Sequence, residues 1–216
     1  MIKFNLHTKN IKFFAFVSYI IFLAVVLLTT NSYGEKSIVT DVSTLQLALC
    51  SSVSSIIAVA ILCQKGSLHF YKVLIWITIA FGCAYLAMDD KFMYHERLDW
   101  MIHSLLGWEE TSLSDRIDDI IIGIYGIIGI AFIFLNRSYF SFSLRFIKYA
   151  KCALFLSLLM VFCDSQGFGL VDNLKPIYRQ LKHLEEWTKL LGGASLLVGL
   201  LCALEDTLNE RKVKLQ

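Results

Sequence analysis

Long apolar runs recur along the whole sequence, and none of them alternates polar with apolar residues. Inside a bilayer the backbone must satisfy its own hydrogen bonds, so runs of this kind predict helices and argue against barrel strands. Hydrophobic residues make up 56% of the chain and charged residues only 18%, against ~25% charged in a soluble domain. The expected fold class is therefore all-α, a polytopic transmembrane helical bundle.

Six apolar runs are candidate spans within a single domain that covers residues 1–216. They are residues 13–30, 45–62, 73–88, 120–135, 149–164 and 187–204. Residues 91–108 have one apolar and one charged side, which predicts a helix lying at the membrane interface. If the third helix continued through that segment, Asp89, Glu96 and His103 would share one face at intervals of seven.

The distribution of charge predicts the orientation of the spans. With six spans and a cytoplasmic amino terminus, the inner side holds twelve of the twenty Lys and Arg residues and three of the eighteen Asp and Glu residues. The outer side holds the other eight basic and fifteen acidic residues, so the two sides carry +9 and −7. Because Lys and Arg concentrate in short cytoplasmic loops, we expect both termini inside and a multi-pass protein of the inner (plasma) membrane.

Acidic residues gather where four of the predicted helices reach the outer side. Carboxylates and imidazoles on rigid helices are suitable ligands for a divalent metal ion, the one cofactor that the sequence suggests. Asp164 is a strong case, because the apolar run before it is short for a crossing and would leave the carboxylate below the headgroups. The candidate metal ligands are Asp89, His95, Glu96, Asp164, Glu185 and Glu186.

Two other interpretations of this acidic cluster stay open. The carboxylates could form a solvated outer rim, or a basic residue such as Arg97, Arg179 or Lys189 could neutralise them in place of a cation. No HExxH or comparable metal signature is present. The cluster thus predicts a polar pocket more firmly than it predicts a metal.

Small and polar residues inside the predicted spans favour helix packing. The serines and threonines of the second span, Ser43 and Thr44 among them, favour interhelical packing over the lining of a pore. Gly192, Ser195 and Gly199 share a face of the sixth span, where they would let another helix approach within the chain or from a second copy. The six cysteines lie in apolar stretches and are expected to be unpaired.

Two short motifs carry a resemblance to other proteins. Asp-Asp-x4-His-Glu ends the third span (Asp89 to Glu96), and Glu-Glu-x4-Leu-Gly opens the sixth (Glu185 to Gly192). The pair resembles a pattern in uncharacterised small bacterial polytopic membrane proteins, and it covers about a tenth of the chain. The resemblance implies that the two motifs belong to one site and implies no activity.

Three functional hypotheses follow from these patterns. The leading one is a membrane protein whose outward-facing acidic and histidine pocket binds or conducts a cation, as a homo-oligomer. The second is a metal-dependent hydrolase acting at the outer leaflet. The third is a sensing or anchoring subunit for a cytoplasmic protein partner. The lipid bilayer is the expected surroundings in every case, and the near-balanced net charge of +2 gives no indication of nucleic-acid binding.

Overall fold

The structure, a computed structural model, is helical throughout the part of the chain that it describes. It describes residues 18, 19, 21, 23, 25, 26, 38–63, 69–107, 117–167 and 175–214, without the side chains of 69, 118, 119, 165–167, 175–179 and 210–214. The helices are α1 (Ile38–Leu62), α2 (His69–Phe92), α3 (Tyr94–Leu106), α4 (Ile117–Leu135), α5 (Leu144–Gly167) and α6 (Lys175–Lys214), with a short 3-10 helix at Arg137–Phe140.

Four helices are long and apolar enough to cross a membrane. The qualifying segments are Ile38–Leu62, Phe70–Phe92, Leu144–Asp164 and Gln180–Asn209, and Ile120–Leu135 is a shorter apolar helix. The predicted span 13–30 lies largely outside the described residues; the six described between 18 and 26 are helical. Large apolar side chains such as Phe81 and Phe155 are exposed on the bundle exterior, as a lipid-facing surface requires.

The helices pack in antiparallel pairs. α1 packs along α2, α6 packs along α5, and α1 also contacts α6, which joins the two pairs into one bundle. α4 lies against α5 and α3. We call the end where α1 and α6 begin and α2 and α5 end the acidic end, and the opposite end the basic end.

An aromatic cluster fills the core towards the basic end. Trp76 is 1% exposed, and its ring centroid lies 5.7 Å from that of Phe140 and 5.4 Å from that of Phe146. Arg145, at the start of α5, bonds Glu205 at 3.1 Å and also bonds Asp206, near the end of α6. These contacts set the antiparallel register of α5 and α6.

The small residues of α6 face α5 within the same chain. A Cβ on Gly199 would lie 2.9 Å from Tyr149 Cβ, and one on Gly192 would lie 3.6 Å from the Ala153 carbonyl oxygen. Ser195 Oγ lies 3.7 Å from Cys152 Sγ. The stripe therefore permits the close approach of α5 and α6, which answers the question that the sequence left open.

Two expectations about helix extent need correction. The helix of the third span does not continue through residues 91–108, because Met93 takes a left-handed conformation (φ 56°, ψ 49°) and α3 starts a new direction at Tyr94. Asp89 therefore does not share a helix face with Glu96 and His103. α5 begins at Leu144 rather than near residue 149, so at ~1.5 Å per residue it is about 36 Å long and is not short for a crossing.

Candidate functional site

Asp90 is held at the acidic end by three helices at once. It lies in the last turn of α2, where its Oδ1 is 2.5 Å from the ammonium nitrogen of Lys189 on α6. Its Oδ2 accepts hydrogen bonds from two hydroxyl groups at the start of α1, a short one from Ser43 and one of 3.1 Å from Thr44. Asp90 thereby connects α1, α2 and α6 through charge-assisted hydrogen bonds.

Lys182 joins two further carboxylates across the α5–α6 contact. Its ammonium nitrogen lies 2.8 Å from Glu185 Oε2, three residues later on α6, and 3.4 Å from Asp164 Oδ1, at the end of α5. The side chain of Glu185 is largely buried, and those of Asp164 and Lys182 are partly exposed. Lys182 is thus a second internal counter-ion, on the side of α6 that faces α5.

Glu186 lies on α6, between Lys182 and Lys189 in the sequence, and is the most buried of the acids in this region. The residue is 3% exposed, and its Oε2 has no hydrogen-bond partner within the described part of the chain. The charges that act on it are those of Lys189, Lys182, Asp90 and Asp164. Glu186 therefore couples the two pairs electrostatically, although it lacks a complete set of hydrogen bonds.

These side chains form an acid–lysine network, which consists of Asp90, Asp164, Glu185, Glu186, Lys182 and Lys189. Four carboxylates face two ammonium groups, so the fully ionised network would carry a formal charge of −2. Carboxylates removed from water are costly unless each is compensated. Two of the four carboxylates therefore have no lysine of their own to balance them.

A separate pair lies on another side of α2. His95 Nδ1 is 2.9 Å from Asp89 Oδ2, and the backbone N–H of His95 donates to Asp89 Oδ1 at 2.9 Å. The left-handed turn at Met93 brings the first turn of α3 back over Asp89, which makes both bonds possible. The carboxylate fixes the position of the imidazole ring and closes the α2–α3 junction.

The six predicted metal ligands thus fall into different surroundings. Asp164, Glu185 and Glu186 belong to the acid–lysine network, whereas Asp89 and His95 pair with each other, and Glu96 lies in the first turn of α3. Consecutive residues on a helix point about 100° apart, which is why Asp89 and its neighbour Asp90 face different partners. Among the described residues no three His, Cys, Asp or Glu side chains are grouped to hold a metal ion, and the divalent metal stays a prediction.

The sequence analysis does not identify Lys182 as a member of the network. Lys189 was named as a compensating cation together with Arg97 and Arg179, but Lys182 was not considered. Lys182 with Glu185 and Glu186 with Lys189 are both at i, i+3 spacing, which was the available signal. Ser43 and Thr44 are predicted to pack between helices, and their hydroxyl groups bond Asp90 of α2; Ser43 Oγ also bonds the Thr40 carbonyl oxygen of its own helix at 3.0 Å.

Gln46 extends the polar region one turn deeper along α1. Its Nε2 donates to the Tyr19 hydroxyl at 2.6 Å. Its Oε1 is buried without a hydrogen-bond partner among the described residues and lies against Gly193 of α6, where a Cβ would come within 2.3 Å. A side chain larger than glycine could not occupy position 193 without moving this amide.

Comparison with known proteins gives one match. Residues 20–204 match a protein family described as a domain of unknown function, DUF8692. No curated protein and no solved structure matches the chain. The matched segment contains α1 to α5 and most of α6, and so includes all six residues of the acid–lysine network.

Proposed function

The chain belongs to the DUF8692 family, and we propose that it is a multi-pass membrane protein that binds a cation at its acid–lysine network. The observation that carries this proposal is Glu186, a carboxylate that is 3% exposed, lacks a hydrogen-bond partner at Oε2 and lies in a group with two more acids than bases. A buried oxygen of this kind costs about 1–3 kcal/mol or more when it is left unsatisfied. A bound cation would offset that cost.

The placement of the network in the bundle supports the same proposal. Asp90, Asp164 and Glu186 all fall within segments that are apolar enough to span the membrane. Ionisable groups at such positions are expensive, and in membrane proteins they commonly mark an ion or substrate pathway. If the protein also conducts the cation as a homo-oligomer, the ion would pass through this binding site.

The orientation belongs to the proposal as well. Six spans with both termini in the cytoplasm would place the acidic end on the outer face of the inner membrane, in agreement with the +9 and −7 distribution of charge. The network would then be reached from outside the cell. Cations would enter between α1, α2 and α6, where Lys189 and Asp90 keep partial exposure.

A thermal-shift measurement on the purified full-length protein in detergent tests cation binding. A bound cation stabilises the folded state by RT ln(1 + [L]/Kd), so chloride salts of sodium, potassium, magnesium and calcium are compared with choline chloride at equal ionic strength. We expect at least one cation to raise Tm in the wild type and Glu186→Gln to abolish that increase.

The matched control is Asp41→Asn. Asp41 lies at the same end of the bundle, but it forms an exposed pair with Lys91 at 2.6 Å, and exposed pairs of this kind contribute little. This variant should keep the cation-dependent increase in Tm. If no cation differs from choline in the wild type, or if Asp41→Asn and Glu186→Gln lose the response equally, the network is not a cation site.

A further inference from the structure

Lys189 pairs with Asp90, a carboxylate that also accepts hydrogen bonds from α1. Its ammonium nitrogen lies 2.5 Å from Asp90 Oδ1, and the other oxygen of that carboxylate accepts from the hydroxyl groups of Ser43 and Thr44. Glu186 lies three residues earlier on α6, and Lys189 is the charge that most stabilises its ionised form. The oxygen groups of this region are the carboxylate of Asp90, the two hydroxyl groups bonded to it, and the carboxylate of Glu186, on which the charge of Lys189 acts.

A donor set made only of oxygen indicates the chemical class of an external ligand. Carboxylate and hydroxyl oxygens suit hard cations, whereas zinc and copper prefer sites with imidazole or thiolate ligands. His95 also lies at this end, but its imidazole ring bonds Asp89 on another side of α2. The position of Lys189 is therefore suited to an alkali or alkaline-earth ion.

Two buried oxygen atoms towards the acidic end lack a hydrogen-bond partner within the described residues. Glu186 Oε2 is buried and has no hydrogen-bond partner within the described residues, and the same is true of Gln46 Oε1, one turn deeper on α1. Gln46 is 2% exposed. Lys189 and Glu186 extend from the same helix, and the lysine reaches across to α2, which leaves Glu186 incompletely bonded.

We infer that Lys189 is a tethered cation that fills a site for a hard monovalent cation, and that the external ion and the ammonium group compete for Asp90 and Glu186. This inference rests on the proposed function, because it identifies the ion class and the gating residue of the same site.

Competition follows from the hydrogen-bonding capacity of the groups involved. A protonated lysine has three donors and no lone pair, so it cannot become a ligand of an incoming ion. The hydroxyl groups of Ser43 and Thr44 can rotate and offer lone pairs while they stay in place. The group that must move is Lys189, whose side chain is still 24% exposed and so has a route towards the aqueous boundary.

The charge of the ion follows from the charge that it replaces. The site around Asp90 is built with one unit of positive charge from Lys189. An ion of charge +1 would leave the formal charge of the acid–lysine network unchanged after the exchange. A divalent ion would add a further positive charge close to Lys182, which already serves Asp164 and Glu185.

Sodium binding to the full-length protein, measured with radioactive sodium by equilibrium dialysis in detergent, tests the inference. Lys189→Met removes the competing charge and keeps a long apolar stem. We expect it to lower the sodium Kd by about tenfold or more, because two like charges a few ångströms apart repel strongly even at an effective dielectric constant of ~20. The matched control, Lys91→Met, removes an exposed lysine whose partner is Asp41 and should leave the Kd unchanged.

Two additional variants keep the test decisive if Lys189→Met folds poorly. Lys189→Arg keeps the charge and should bind sodium as weakly as the wild type. Lys189→Met combined with Glu186→Gln should lose the tight binding. Should Lys189→Met be unstable in choline chloride, recovery of its Tm by sodium alone would be the same result in another form, and instability that sodium does not relieve would overturn the inference.

The failures of the two proposals are distinguishable. If the wild type binds none of the cations, the proposed function is wrong, whatever Lys189→Met does. If the wild type binds sodium and Lys189→Met binds it no more tightly, cation binding stands and the role of Lys189 is wrong. Magnesium or calcium binding to Lys189→Met at concentrations where sodium does not bind would overturn the monovalent assignment.

Discussion

Glu185 and Glu186 are neighbours in the chain, yet their surroundings differ. Glu185 is within 2.8 Å of Lys182 and shares that lysine with Asp164, whereas Glu186 is the more buried of the two, at 3% exposed. The difference arises from the rotation of about 100° between consecutive residues of a helix. Glu185 is accordingly a structural counter-ion of Lys182, and we expect the proposed cation binding to depend on Glu186.

Asp89→Asn is predicted to destabilise the protein without abolishing cation binding. An asparagine could still accept the backbone N–H of His95, but it would lose the charged half of the bond to the ring. We expect a loss of about 1–3 kcal/mol in stability, the usual value for a buried hydrogen bond to a charged group. Thermal unfolding in choline and in the stabilising cation measures both effects.

Asp41→Asn again provides the comparison, because the carboxylate of Asp41 is exposed and pairs with Lys91. A cation response lost in Asp89→Asn but kept in Asp41→Asn would place Asp89 and His95 in the cation site. Asp89 and His95 would then be cation ligands, as the sequence motif predicts.

At the scale of elements, the α2–α3 junction depends on one residue in an unfavourable conformation. Met93 has a positive φ, which costs an ordinary L-residue roughly 1 kcal/mol and costs glycine nothing. The conformation is retained because Asp89 accepts from the backbone and ring of His95 immediately after the turn. The junction therefore directs α3 away from the axis of α2.

Met93→Gly is predicted to raise Tm, and Met101→Gly to lower it. Both substitutions remove the same side chain, but Met101 lies inside α3, where glycine costs ~1 kcal/mol relative to a good helix former. The change at position 93 relieves about 1 kcal/mol of backbone strain, less the packing that the half-buried Met93 side chain loses. A decrease in Tm of equal size in both variants would mean that side-chain packing, and not the left-handed turn, determines the junction.

At the scale of the whole molecule, the bundle separates charge between its ends. The acidic end holds the acid–lysine network, and the basic end is tied by Arg145 to Glu205 and Asp206, with Ser143 donating to Asp206 at 2.6 Å. These polar groups lie at opposite ends of α5 and α6, and the aromatic cluster around Trp76 lies between them. The ends of the helices thus carry the polar contacts, while the exterior is apolar.

Reporter fusions test the proposed orientation. Fusions after Lys65, Arg145 and Gln216 should report the cytoplasm, and a fusion near Glu110 should report the outer side, because the positive-inside bias is +9 to −7. Substituting Lys148 and Lys151 with glutamine is a useful control, since it weakens the bias at one loop only. A cytoplasmic signal at Glu110 would reverse the orientation and place the acid–lysine network on the inner side.

The helical class, the approximate position of the apolar segments and the gathering of carboxylates at one end could all be predicted from the sequence. These features depend on local composition and on hydrophobic length, both of which can be counted along the chain. The i, i+3 pairs of α6 were also available from spacing alone. The boundaries were less predictable, because charged residues such as Arg145 continue a helix once partners on α6 compensate them.

The pairing of each acid with a lysine could not be predicted from the sequence, because it depends on how the helices pack. Ser43, Asp90 and Lys189 come from three helices, and their meeting depends on how far each helix is rotated and shifted against the others. Close contacts at Gly193 and Gly199 set that register, because a Cβ there would collide with Gln46 or Tyr149. Periodicity within one helix says which residues share a face, but the packing of side chains between helices determines what that face contacts.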